Sequence, residues 1–254
     1  MKIIGLLFLG LLAFAVTSVW KFPAAGVLPH VNIEPVKLSG VSGSVWNGSA
    51  QQVIGPDPQL PPVSNVNWKF QPSALLAASA GANIDFEVLG GTGKGLVRRN
   101  LAGDVMLTDG KLQVPATNVE QFLPSTVGDF AELAGVLLAD IEELELENNL
   151  LKRTQGKVVW SNAEIVDAIK LGVVVFDIVP EGDLHMGKLS NTGGELTLRG
   201  DVTLDQSGSF KADIQIKPTP QTPAHVEGLL KLIGRPASDG SYRIRNNGNI
   251  HQFL

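Results

Sequence analysis

ELTLRGDVTLDQSGSFKADIQIK, residues 195–217, alternates apolar and polar side chains on both sides of Gln206-Ser207-Gly208. Leu196, Leu198, Val202 and Leu204, then Phe210, Ala212, Ile214 and Ile216, all fall on even positions. Thr197, Arg199, Asp201, Thr203, Asp205, Lys211, Asp213 and Gln215 lie between them. A period of two places one set on a buried face and the other on a wet face, so the stretch predicts an antiparallel hairpin. Wound as a helix, the same residues would scatter their apolar side chains around the whole surface.

The rule extends outward. Ile84, Phe86 and Val88, Val105 and Leu107, Leu112 and Val114, and Leu144 and Leu146 alternate in the same way. Helical signals are short. Pro72 to Ala80 opens on a proline and meets Gly81 at its end, and Thr117 to Leu123 is long enough for a turn or two. Glu164 to Leu171 reads as a strand or a short helix. Thr222 to Ile233 has a Thr cap and a Pro at the first helical position, and stops at Gly234-Arg235-Pro236. The 28 glycines and 15 prolines punctuate the chain with turns, which suits β-structure.

Short motifs recur in one order in the two halves. Gly43-Ser-Val-Trp46 is echoed by Gly156-Lys-Val-Val-Trp160, and Trp68-x-x-x-Pro72 by Phe176-x-x-x-Pro180. Leu101-Ala-Gly-Asp-Val-Met-Leu107 is echoed by Leu198-Arg-Gly-Asp-Val-Thr-Leu204, and Pro115 by Pro218. The expected fold is mainly β: two similar antiparallel repeats, 38–125 and 126–222, the second with its own leading strand. A carboxy-terminal helix and strand or tail occupies 223–254. A single repeat would expose sheet edges and one apolar face, so the two are expected to pack into one continuous domain.

Ahead of them, 1–22 is a membrane-anchor candidate and 23–37 a linker. Ile3 to Trp20 carries no charge over 18 residues, and a helix of that length spans roughly 27 Å of a ~30 Å hydrocarbon core. Ile3, Leu6, Phe8, Leu11, Phe14, Val19 and Trp20 would face lipid, with Trp20 and Lys21 at the membrane–water interface. Ala13-Phe14-Ala15 offers a cleaved-leader alternative. The run stays apolar past Ala15, so a retained single-pass anchor is the reading adopted, with the amino terminus and Lys2 inside.

The chain has no cysteine, which excludes a disulfide framework, Cys-based zinc sites and a thiol nucleophile. Net charge is −5 with no basic patch, which argues against nucleic-acid binding.

Val41-Ser-Gly43-Ser-Val-Trp46-Asn-Gly48-Ser-Ala50 resembles the hallmark strand of the type II secretion system protein N family, placed soon after an amino-terminal membrane segment. The similarity continues at Trp68–Leu75, Gly156–Ala163 and Gly194–Leu204, and ends at Leu229–Ile244 with its Asp239-Gly240-Ser241-Tyr242 run. The resemblance implies an inner-membrane protein with a periplasmic β-domain, accessory to export of folded proteins across the outer membrane of Gram-negative bacteria. It implies no catalytic residue and no cofactor. Gly43, Trp46, Gly48, Trp68, Pro72, Gly156, Trp160, Gly200 and Gly240 carry it.

Those residue types read as structural. Trp46, Trp68 and Trp160 are expected to anchor the cores of the repeats, each burying ~150–250 Å² and needing one partner for its indole N–H. An exposed aromatic row for a partner is the alternative. Gly43, Gly103 and Gly200 are expected at bends or bulges.

No catalytic set assembles. Gly90-Gly-Thr-Gly-Lys94-Gly95 misses the phosphate-loop pattern at Val88 and Gly95 and is read as a turn. His30, His185, His225 and His251 stand singly, without metal-ligand spacing, and are read as exposed or hydrogen-bonded. Asp140, Glu142, Glu143, Glu145 and Glu147 form an acidic run, in which Glu143, Glu145 and Glu147 alternate with Leu144 and Leu146 and are read as the wet face of one strand, a basic partner surface being the alternative. The expected function is therefore a non-enzymatic secretion component in contact with the inner membrane and with other secretion proteins. The alternative is a module that binds lipid or another apolar ligand on curved sheets.

Overall fold

Leu198 pairs with Ile216, Val202 with Ala212 and Leu204 with Phe210, so the alternation that predicts the hairpin also sets its register. Asp205 closes the turn, accepting bonds from the backbone N–H groups of Ser207 and Ser209, both at 2.9 Å. Gly208 supplies the left-handed residue of a three-residue loop, at φ 81°.

The computed structural model describes residues 24, 36–55, 60–122, 132–147, 150–233 and 235–249. The anchor candidate and most of the linker lie outside them. The strands are β1 (Lys37–Ser39), β2 (Ser42–Gly43), β3 (Asn47–Ile54), β4 (Val63–Phe70), β5 (Ser79–Val88), β6 (Gly91–Asn100) and β7 (Val105–Pro115). They continue with β8 (Leu133–Glu147), β9 (Leu150–Ile165), β10 (Ile169–Glu181), β11 (Leu184–Thr192), β12 (Leu196–Asp205), β13 (Ser209–Pro218) and β14 (Tyr242–Asn249). Among the described residues they form one 14-stranded antiparallel sheet. From β3 onward each strand lies beside its neighbours in sequence, while β1 and β2 both pair with β3.

The halves are continuous edge to edge rather than face on face. β7 and β8 pair from Val105↔Leu146 to Pro115↔Val136, so the edge of one half is satisfied by the other. The third sequence echo is not an echo of conformation. Leu101–Leu107 is a turn leading into β7, whereas Leu198–Leu204 lies wholly inside β12. Gly103 does bend the chain, at φ 99°, but Gly200 sits at no bulge. Gly200 instead makes room for Ile214, whose Cγ1 would lie 3.1 Å from a Cβ at that position.

The helical signals shrink where strands compete. Pro72–Ala77 is a short 3₁₀ segment ended by left-handed Ala78, because Ser79 already belongs to β5. Ala116–Phe122 is a second such segment. Glu164–Leu171 resolves into the end of β9, a turn with Asp167 at φ 57°, and the start of β10. Leu89-Gly90 is a two-residue turn with both φ values positive (52° and 66°), and the glycine-rich run after it is strand β6.

The helix α1 (Ala224–Ile233) covers part of the sheet. Val226 and Leu230 pack with Ala163, Ile169, Leu171, Val174, Leu196 and Tyr242 in the buried cluster. Full burial of each such aliphatic side chain stabilises by about 1.5–3 kcal/mol. Thr222 does not act as a simple cap. Its hydroxyl donates to Glu195 O and accepts from the Thr219 N–H at 2.8 Å, which ties the start of the helix to the start of β12.

Candidate functional site

The hallmark segment forms a tight arch. Gly43, at φ 79°, and Gly48 pair across β2 and β3, and the Ser44 N–H donates to Asn47 O at 2.9 Å. The next strand clamps the arch. Trp68 Nε1 donates to Val45 O at 3.0 Å, and Trp46 meets Phe70 edge to face with ring centroids 4.9 Å apart. A Cβ on Gly48 would lie 2.4 Å from Trp68 Cζ2, so only glycine lets the indole lie across the arch.

Trp160 has the same kind of role elsewhere. Its Nε1 donates to Ala134 O at 2.8 Å beside Gly135, which turns at φ 100°. Its ring packs half-buried against the α1 cluster. Gly156 lets β8 approach, since a Cβ there would meet Asp140 O at 2.6 Å. Pro72 starts the first 3₁₀ segment, and Gly240 turns the chain into β14 at φ 78°. The signature residues thus sit at separate places along the sheet. Only Gly43, Trp46, Gly48 and Trp68 come together, and what they build is backbone geometry.

Paired residues share a face. One face carries Trp68, Ile84, Val97, Leu107, Ile141, Val158, Phe176, Val202 and Ala212, with neighbours of similar character. It also holds Gly93 and Gly187, each beneath a phenylalanine ring: Phe86 and Phe176. The opposite face is charged. In unbroken register it runs Asp85, Lys94, Lys111, Asp140, Lys157, Asp177, Lys188, Asp201, Asp213, Arg245, one residue per strand from β5 to β14. Lys111–Asp140 and Lys157–Asp177 pair at 3.2 Å, and Arg243 and Arg245 reach Asp213 at 2.5 and 3.1 Å. Arg243 holds the Asp213 carboxyl below the usual aspartate value. The row was missed in the sequence because its members are 9 to 32 positions apart, and only strand register aligns them.

Glu143, Glu145 and Glu147 of the acidic run make one strand's wet face, as expected, and are met by cations from β9. Arg153 meets Glu143 at 2.7 Å, and Lys152 meets Glu147 at 2.7 Å and Glu145 at 3.7 Å. His225 is exposed, with Nε2 3.1 Å from Ala168 O. His185 departs from expectation: it is 1% exposed, and its Nδ1 has no hydrogen-bond partner. Strand pairing places it between Pro180 and Leu204 on the apolar face, where alternation outweighs the polarity of the ring. His30 and His251 lie outside the described residues. Among the described residues no three His, Asp or Glu side chains gather as a metal set, and none of the spans is a helix long and apolar enough to cross a membrane.

Among the described residues the arrangement is a single antiparallel sheet in which Gly43, Trp46, Gly48 and Trp68 shape one backbone arch. The family model for type II secretion system (T2SS), protein N matches residues 34–245, and the chain belongs to that family. It is similar to the type II secretion system protein N of Vibrio cholerae serotype O1, 26% identical over 253 residues, covering 97% of each chain. It is also similar to the protein of that name from Aeromonas hydrophila, 24% identical over 236 residues, covering 91% of this chain and 92% of the relative. No solved structure matches it.

Proposed function

We propose that this chain is a non-enzymatic component of the type II secretion system, held in the inner membrane by residues 3–20, with its sheet in the periplasm contacting other secretion proteins. The observation that carries the reading is the family match over 34–245, which takes in almost the whole described sheet. The sheet supports it physically. Among the described residues no strand pairs with the outer edge of β14 or of β1 and β2, and an open edge accepts a strand from a partner. The duplication of 38–125 in 126–222 belongs to the same reading, and an aromatic ring over glycine recurs in each half. Photo-crosslinking in cells, walked along β2 and β14, is expected to trap other secretion proteins. A walk that traps none at either edge would remove the docking role. Fractionation with protease protection tests the anchor, and a mature chain trimmed after Ala15 would remove it.

A second reading has its own observation. The apolar face runs across the sheet from β4 to β13, and α1 buries only part of it. That surface suits an acyl chain. Mass spectrometry of the purified full chain is expected to find co-extracted lipid under this reading, and a lipid-free protein would leave the first alone.

A further inference from the structure

The midpoint of the charged row falls between Lys157 on β9 and Asp177 on β10. Each charge has the opposite sign at the mirrored position. Lys157 mirrors Asp177, Asp140 mirrors Lys188, Lys111 mirrors Asp201, Lys94 mirrors Asp213, and Asp85 mirrors Arg245. Length is mirrored with sign: the anions are all aspartates, and the cations are lysines or arginine.

Two places in the row break the rule that like charges avoid direct opposition. Lys94 faces Lys111, and Asp201 faces Asp213. These two faults lie at mirrored positions and carry opposite signs, so each is the complement of the other. Within the sheet Asp140 offsets Lys111, and Arg243 and Arg245 offset Asp213, so the exposed Lys94 and Asp201 are the members of each pair for which an external partner is expected.

We propose that the charged face binds the same face of a second copy of this chain, about a two-fold axis parallel to the strands. That axis reverses the row, so the sign is opposite at all ten positions, with the closest approach at the central pairs. A two-fold axis parallel to the row would set every charge against its own duplicate. The pattern therefore selects one isologous geometry and rejects the other. A lysine and an aspartate reaching toward each other span about the ~10 Å between stacked sheets. Stacked sheets cross at about 30°, so the central pairs align best and the outer ones rely on the long cations.

The neighbouring row supplies an apolar centre. Leu138, Val159 and Val175 stand in register on β8, β9 and β10, beside the same midpoint. Val159 mirrors Val175 across the axis, and Leu138 is 37% exposed in the single chain. An apolar centre within a charged rim is the ordinary anatomy of an interface. The chosen axis also leaves the Lys37 ends of both copies at one end of the dimer, as tethering both to one membrane requires. The inference goes beyond the secretion reading, and only its agreement with a shared membrane rests on that reading.

The test is a charge swap at one mirrored pair, read by sedimentation of the full chain in detergent. Lys111 and Asp201 are both exposed on strand surfaces. Wild type is expected to dimerise at low salt and to dissociate as salt rises. Lys111→Asp alone, or Asp201→Lys alone, sets like charges together twice per dimer and weakens association on the order of a hundredfold. An equimolar mixture of the two variants restores opposite charges at both places and regains the wild-type affinity, which also reports that each variant is folded. A wild type that stays monomeric at low salt, variants that dimerise as tightly as wild type, or a mixture that does not recover would each overturn the proposal.

Discussion

The ring of Phe86 occupies the space that a side chain at Gly93, its paired neighbour on the next strand, would need: a Cβ there would lie 2.3 Å from Phe86 Cζ. Phe176 stands at the same distance over Gly187, and Trp68 at 2.4 Å over Gly48. An aromatic ring laid over a strand glycine shields its bare backbone and fills the gap the missing side chain leaves. Gly93→Ala is expected to destabilise the protein by about 1–3 kcal/mol through overpacking. Phe86→Leu in the same chain should recover part of that loss, giving a non-additive cycle in urea unfolding. Additive effects would mean that the ring and the glycine do not interact.

Trp160→Phe keeps a ring in the α1 cluster but removes the donor to Ala134 O. A loss of about 0.5–1.5 kcal/mol is expected, together with faster amide exchange at the Gly135 bulge. A variant as stable as wild type, with unchanged exchange, would reduce the indole to a space-filler.

Leu230 is 4% exposed and packs in the cluster that includes Leu196 and Tyr242. Leu230→Ala is expected to cost about 2–5 kcal/mol. Tyr242 is the only tyrosine in the chain, so undocking of α1 should show as increased exposure of that phenol in ultraviolet difference spectra. An unchanged signal with unchanged stability would detach α1 from the core.

Acid should loosen the β12–β14 end of the sheet. The Ser207 hydroxyl holds Asp205 below the usual aspartate value, Arg243 does so for Asp213, and the Ser241 hydroxyl for Asp239. Carboxyls lowered on folding contribute stability that is present above the ordinary aspartate value and is lost as pH falls through their lower folded values. Carboxyl chemical shifts followed down in pH should titrate late at these three positions, and Arg243→Gln should move Asp213 back up. Titration of Asp213 at the ordinary value in wild type would contradict the ion pair.

Strands were legible wherever one face is apolar and the other wet. The 195–217 hairpin, its turn and its register follow from alternation alone, and the Ala224–Ile233 helix follows from the proline before it and its stop signal. Pro72 to Ala80 was legible only in part, because pairing of Ser79 into β5 overrides the local helical preference. Gly200 read as a bend because a glycine in a strand has two uses, and only the packing of Ile214 against it tells which applies. His185 was misread because a lone histidine carries no sign of what lies on either side, and Pro180 and Leu204 become its neighbours only through strand pairing.

Local pattern by itself determined that this is an antiparallel β-protein with an uncharged apolar run at 3–20, and the order of short motifs placed it in its family, because periodicity and turn chemistry act over a few residues. The continuity of the sheet across its two halves, the glycines beneath aromatic rings and the mirrored row of charges were decided only by tertiary structure. Each depends on which residue lies opposite which, and register is a relation between strands rather than a property of any one of them.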